Sequence, residues 1–341
     1  MTAERDAWLR LTIEDPIDPD LPICDPHHHL WDRPNDRYFL DEFIQDASTG
    51  HRIVSTVFIE CGAMYSQDVP ETLQVVGETE FAQGIAAQSA SGQYGPTRVA
   101  LGIVGHANLR LGSAVAPVLE AHLAASPNRF RGIRHSCSWD ASQAVANAST
   151  NPPEGLLLDA KFREGFACLQ RYGLSFEAWL YHPQLPELAD LARVFPDIPI
   201  VLNHVGGLLG IGPYTGRREE VFEQWKVGIA QVARCPNVLV KLGGLGMTRC
   251  GFAWEMGAAP PTSAELADAL APYYLWCIDQ FGVERCMFES NFPVDKASYS
   301  YANMWNAFKR ITQTFSPAQR LALFHDNAVR VYRLASAPVS A

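Results

Sequence analysis

Short apolar runs recur along the chain, each followed by a longer stretch whose apolar residues return at helical spacing. The runs are Ile23-Cys24, IVSTVFIEC (53–61), RVALGIVG (98–105), FRGIRHS (130–136), LSFEAWLY (174–181), IPIVLNH (198–204), NVLVKL (237–242) and RCMFES (285–290). The first leads into three histidines, and the others have the length and apolar character of buried strands. The intervening segments, such as VPETLQVVGETEFAQGIAAQS, AVAPVLEAHLAAS, ELADLARVF and ELADALAPYYLWCIDQF, read as helices. Several stop at Gly or Pro just before the next run, as at Gly173, Pro196 and Gly282. Eight such runs alternating with helices predict a parallel α/β protein, and eight is the number that closes a (β/α)8 TIM barrel.

A doubly wound open sheet is the competing arrangement, but its best cue is missing. GIGPYTG (210–216) carries Thr215 where a G-x-G-x-x-G fingerprint needs its third glycine. No phosphate-binding P-loop, no G-x-S-x-G elbow, no H-E-x-x-H helix and no repeat beyond the strand–helix alternation is present. The pattern therefore predicts one barrel domain over residues 1–341 with loop insertions, residues 1–20 forming an N-terminal extension.

Composition narrows the partners. With 48% hydrophobic and 19% charged residues the chain has ample material for a core. Its net charge of −10, without a basic stripe, argues against nucleic acid and anionic membranes. No apolar run approaches the length of a bilayer span, and the first residues lack a signal or transit pattern. The eight cysteines include no C-x-x-C pair, so reduced thiols in a cytoplasmic protein are expected. The expected partner is a small-molecule substrate, with a homodimer as the expected assembly if there is one.

In a barrel of this kind the chemistry gathers at the C-terminal strand ends. His27 and His29 follow the first run, His182 the fifth and His204 the sixth. His51, His122 and His325 fall in loops or helices, where packing or solvation is expected, and His106 and His135 stay open. Strand alternation places His27 and His29 on one side, with Asp25 beside them, and His28 on the other.

The blocks D-P-H-H-H-L-W-D (25–32), Y-H-P-Q-L (181–185), L-N-H-V-G-G (202–207), C-M-F-E-S-N-F-P-V-D (286–295) and F-H-D-N-A-V-R-V-Y-R-L (324–334) together resemble the amidohydrolase superfamily. The resemblance is to its amidohydrolase-2 branch of lactonases and decarboxylases, and it runs through nearly the whole chain. It implies a distorted barrel in which His27, His29 and His182 bind one divalent metal, zinc or manganese. It also implies a catalytic or substrate-orienting His204. The family's strand-8 aspartate is replaced here by Asn291, within Ser290-Asn291-Phe292-Pro293. An amide neither takes a proton at neutral pH nor offsets a metal's charge, so the ion is expected to be weakly held. A metal-free mechanism, as in some lactonases of the branch, stands beside it.

The base must then lie elsewhere, and His204, Asp295 and Glu289 are the candidates. Glu60, Arg134 and Lys241 lie on strands, either as a salt-bridged interior layer or as a clamp for an anionic substrate. Asp295 lies beyond the strand end, where a solvated carboxylate is the default. Tyr181, Trp31, Tyr65 and Phe292 are candidate pocket walls, with Glu60, Arg134 and Tyr181 the expected substrate contacts. The glycine-rich loop 205–217 would suit a lid. The expected activity is hydrolytic opening of a lactone ring in a small carboxylated substrate. Asn291 would hydrogen-bond the attacking water, with His204 or Asp295 as base. Non-oxidative decarboxylation of an aromatic or unsaturated acid, and a non-catalytic ligand-binding barrel, are the alternatives.

Overall fold

A computed structural model describes residues 3–334, so the outermost residues of the expected 1–341 domain lie outside it. All eight apolar runs become barrel strands, and in order. They are β1 (Ile23–His28), β2 (Ile53–Ile59), β3 (Arg98–Gly105), β4 (Phe130–Arg134), β5 (Ser175–Ala178), β6 (Ile200–Leu202), β7 (Val238–Leu242) and β8 (Cys286–Phe288). Each pairs in parallel with the next. The seam between β8 and β1 closes at the C-terminal end, where Asn291 N donates to His27 O (2.9 Å) and His29 N to Phe292 O (2.8 Å). The strands are shorter than the apolar runs at their C-terminal ends, because there the chain leaves the ladder to build the site.

The helices start and stop where local chemistry dictates. Thr262 caps the helix Ser263–Phe281 reciprocally with Glu265, and Asp159 caps Ala160–Tyr172, which ends on the left-handed Gly173. Their apolar faces pack on the barrel wall with wholly buried Phe162, Phe166, Leu266, Tyr274, Trp305 and Phe308. Burying a side chain of that size contributes about 1.5–3 kcal/mol.

Two further segments lock the barrel. Residues 12–17 lie across the helices Ser263–Phe281 and Tyr301–Ile311. They are held there by Glu14 Oε1 accepting from Ser263 N (2.7 Å) and by the Asn306 amide on Ile17 N (2.7 Å) and Asp15 O (2.9 Å). At the opposite end of the chain, Tyr332 and Leu334 pack with Cys24, Val57, Leu239 and Met287, early inward positions of their strands. They plug the N-terminal mouth. The Tyr332 hydroxyl reaches up the interior and donates to Glu177 Oε1 (2.5 Å). Among the described residues no helix is long and apolar enough to cross a membrane, and all eight cysteines are free.

Candidate active site at the C-terminal mouth of the barrel

β1 delivers His27 and His29 into the barrel mouth, with their Nε2 atoms 3.3 Å apart. His28 turns outward, bonded to Thr56 Oγ1 (2.8 Å) and stacked on Phe43, as strand alternation predicts. Asp25 does not share the side of His27 and His29. Pro26 has no N–H to give the ladder, and the pairing of β1 with β2 shifts between Asp25 and His28. Asp25 therefore points outward, accepting from Ser290 N (3.0 Å) and the Tyr301 hydroxyl (3.0 Å), and ties β1 to β8.

The second nitrogen of each imidazole is anchored. His29 Nδ1 lies 2.8 Å from Ile59 O, which can only accept, so His29 carries its proton there. His27 Nδ1 faces Glu289 Oε2 at 2.8 Å and Lys241 Nζ at 3.2 Å. Only the Lys241 contact has hydrogen-bond geometry, and Glu289 Oε2 has no hydrogen-bond partner. The two Nε2 atoms face the same space, with Arg134 Nη1 3.3 Å from that of His27.

Two ligand nitrogens on a tetrahedral zinc with bonds of about 2.0–2.1 Å stand roughly 3.3 Å apart. The Nε2 pair matches that edge, and the outer hydrogen bonds are those that orient metal-bound imidazoles. The residues present thus fit two ligands of a divalent ion. His27, His204 and Glu289 also lie close enough to be considered as a metal group. There the 2.8 and 2.6 Å separations from Glu289 to the two Nδ1 atoms are too short for a ligand edge, and the one to His204 is a hydrogen bond.

His204 sits just past β6 in a left-handed turn (φ 53°), followed by Val205 (φ 47°), a conformation L-residues adopt only under constraint. Glu289 supplies that constraint, accepting from His204 N (3.1 Å) and from its Nδ1 (2.6 Å) with one oxygen. The Nε2 edge of His204 is left toward the cleft, which His204 lines. Burial, aided by nearby Arg134 or Lys241, holds His27, His29 and His204 well below the ordinary imidazole value, so all three are neutral. Burial likewise raises the Glu289 carboxyl, against the pull of Lys241. Lys241 in turn is paired with Glu177 at 2.9 Å, both wholly buried.

Above this layer opens a cleft of about 230 Å³, lined among others by Trp31, Glu60, Arg134, Trp179, Arg249 and Asn291. Glu60 holds the Arg134 guanidinium at 2.6 Å, so the pair is at once a salt-bridged layer and part of the cleft wall. Asn291, with φ 55°, donates from Nδ2 to Asp295 Oδ1 (2.7 Å), which leaves its Oδ1 as the free end. A separate cavity of about 710 Å³ lies between the N-terminal segment and residues 296–303 and holds none of these histidines.

Several expected site residues are placed elsewhere. His182 begins a 3-10 turn after the chain has left β5 at Ala178. Its ring lies 5.2 Å from that of Tyr214, and neither nitrogen has a hydrogen-bond partner. It does not join His27, His29 and His204. Tyr181 is buried behind the cleft, its hydroxyl bonded to Ala146 O and receiving Arg249 Nη1. Phe292 packs outward on Tyr301. Asp295 is not solvated: it is wholly buried and accepts from Gly246 N (2.9 Å), Tyr299 (2.7 Å) and Asn291, and burial pushes it up to about 7. Tyr65 lines an adjoining chamber. The glycines after His204 serve close packing: a Cβ on Gly207 would meet Leu180 O at 1.9 Å and one on Gly210 would meet Cys250 O at 2.3 Å. His51, His122 and His325 make packing or surface contacts. His135 accepts from Leu109 N, while His106 lines the adjoining chamber.

Sequence reasoning missed Glu177, Trp179, Arg33 and Arg249. The alternation that points β5 residue Glu177 inward does the same for Trp179, whose ring stands 4.9 Å from that of His204. Arg33 ends a three-residue hairpin arm and Arg249 lies in a short 3-10 turn, where no periodicity marks them.

A family model for amidohydrolases (Amidohydro_2) matches residues 24–334. The chain belongs to the amidohydrolase family. This amidohydrolase is 35% identical to the y4mH protein of Sinorhizobium fredii over 337 residues, covering 92% of the chain and 99% of that protein. It is 25% identical to an L-fucono-1,5-lactonase of Burkholderia ambifaria over 319 residues, 91% of the chain and 95% of the lactonase. Its fold is similar to that of a Burkholderia multivorans amidohydrolase solved with bound zinc. The TM-score is 0.69 at 22% identity, over 92% of this chain and 99% of that one.

Proposed function

We propose that this amidohydrolase opens the lactone ring of a small, carboxylated substrate, with His204 as the base that activates water. The observation that carries the reading is the His204–Glu289 contact. A neutral imidazole presents one nitrogen to the cleft while a buried carboxylate holds the other at 2.6 Å. That is the base-and-orienter arrangement of nucleophile-activating dyads. Burial raises Glu289 and lowers His204, which reverses the ordinary order of their proton affinities, so a proton taken at Nε2 is relayed toward Glu289 through the Nδ1 contact.

Water adds to the lactone carbonyl carbon as its proton passes to His204 Nε2, and the carbonyl oxygen becomes an oxyanion beside Arg134. The ring C–O bond then breaks, and the departing alkoxide takes the proton from His204 to give the open hydroxy acid. Asn291 Oδ1 accepts a hydrogen bond from the water, Nδ2 being committed to Asp295. Three guanidinium groups, Arg33, Arg134 and Arg249, against the single cleft carboxylate Glu60, favour an anionic substrate. A divalent ion at His27 and His29, when bound, would polarise a carbonyl and acidify water. The lactonase relative supports the reaction class.

The test is a lactone panel followed by acid release at constant pH. His204→Asn is expected to lower kcat by about 10²–10⁴ on any lactone the wild type opens. Turnover retained within a few-fold, or carbon dioxide release from aromatic acids with no lactone opened, would end this reading.

A further inference from the structure

The cleft over His204 is small for a whole substrate. Pockets that enclose small molecules run to about 300–1,000 Å³, and this one measures about 230 Å³. It adjoins a second chamber of about 530 Å³, and Glu60, Ser136 and Ser149 line both. Whatever reacts at His204 has open space in one direction, past those three side chains.

The two spaces differ in charge. Three arginines line the cleft, whereas no lysine or arginine lines the chamber. Its wall is uncharged and hydrogen-bonding apart from Glu60, already matched by Arg134, and the exposed Glu71. His106 Nδ1 lies 3.0 Å from Arg134 O, which fixes its proton there and leaves Nε2 as an acceptor. Thr150 Oγ1 donates to Ser136 O (2.7 Å), leaving lone pairs free to accept. Tyr65 and Asn108 add a phenol and an amide. A second carboxylate would find no counter-ion here, and a cation would find no buried, unmatched acid. A neutral group with several hydroxyls finds both donors and acceptors.

We propose that the chamber is a second subsite that takes a neutral, hydroxyl-rich arm of about one sugar ring, carried by the molecule whose carboxyl end occupies the cleft. The proposal rests on the cleft being the reacting centre, and its test reads binding rather than turnover. Calorimetry compares gluconate with its glycosylated forms cellobionate, maltobionate and lactobionate, with glucarate as the two-carboxylate control. At least one glycosylated acid binds ten-fold or more tightly than gluconate, and glucarate gains nothing. Thr72→Trp, an exposed position on the chamber wall, fills the space and brings the ratio toward one. Ser149→Trp on the wall shared with the cleft serves if the first variant does not fold. No glycosylated acid exceeding gluconate, or an advantage that persists in the filled chamber, overturns the subsite. If no lactone is opened while the binding pattern holds, the lactone reading falls and the subsite stands.

Discussion

Asn291→Asp restores the carboxylate that the family pattern places at this strand end, and the structure sets the consequence. The new carboxylate takes the place of a donor that sits 2.7 Å from Asp295 Oδ1. Asp295 is wholly buried, and burial already pushes it up to about 7. Exchanging the amide donor for a second acid removes one favourable hydrogen bond and adds a like charge at contact. Two carboxylates at such a distance share a proton. A folded-state pKa above the unfolded value favours folding below the unfolded value, and that contribution is lost as pH rises toward the folded one. The variant should therefore match the wild type closely near pH 5 and fall behind as pH climbs through 7 to 9. If the pair is raised by about two units beyond Asp295 alone, the deficit at high pH is roughly 3 kcal/mol, at about 1.4 kcal/mol per unit. For a chain of this size that is a drop in Tm of about 4 °C. A divalent cation at His27 and His29 would neutralise the pair, so zinc should reverse the drop and remain with the variant through dialysis better than with the wild type. Thermal melts from pH 5 to 9 with and without zinc, plus elemental analysis, read all of this. A deficit independent of pH, or equal zinc retention in both proteins, would refute the account.

Glu289→Gln removes the acceptor that orients His204, and kcat should fall by about 10²–10⁴, as when the orienting acid of a catalytic triad becomes an amide; steady-state kinetics check this, with circular dichroism to confirm the fold. His29→Ala should lower zinc content after dialysis while His182→Ala leaves it unchanged, because only the former nitrogen faces His27; elemental analysis of both variants decides. Tyr332→Phe deletes a hydrogen bond to the buried Glu177, which costs about 1.5–3 kcal/mol for a charged acceptor; the expected result is a lower Tm with kcat within three-fold.

The barrel was legible because each of its strands is an apolar run with a helix after it, and a closed parallel sheet buries both faces of every strand. The short hairpin of Trp31–Arg33 with Asp36–Tyr38 was not, since each three-residue arm offers a single aromatic to the core and no alternation to read. At the site, reading side by alternation works only while the chain remains a strand. It held for His27 and His29 and failed for Asp25, one residue before a proline that breaks the ladder. In β5 it points Glu177 inward, a reading that was not made, and it does not reach His182, which the resemblance placed at the metal and which comes after β5 has given way to a turn marked by Pro183. Both prolines were visible in the sequence, so these two errors were avoidable. The contribution of Arg249 was not, because a loop side chain's reach depends on tertiary placement.

The interior charges explain how one glutamate can matter to two different chemistries. Glu60 is matched by Arg134 and Glu177 by Lys241. Glu289 has imidazole and backbone N–H groups as its closest partners, and burial pushes its carboxyl up to about 8. Burying an unmatched carboxylate is costly, and any positive charge arriving nearby lowers that cost. An imidazolium formed on His204 as it takes a proton is one such charge, and a divalent ion at His27 and His29 is another. Because Asn291 is neutral, neither competes with a second acid for the role. The two draw on the same carboxylate, so cation binding and proton uptake at His204 must oppose one another. Replacing Asn291 by an acid gives the cation its own partner and relieves that opposition.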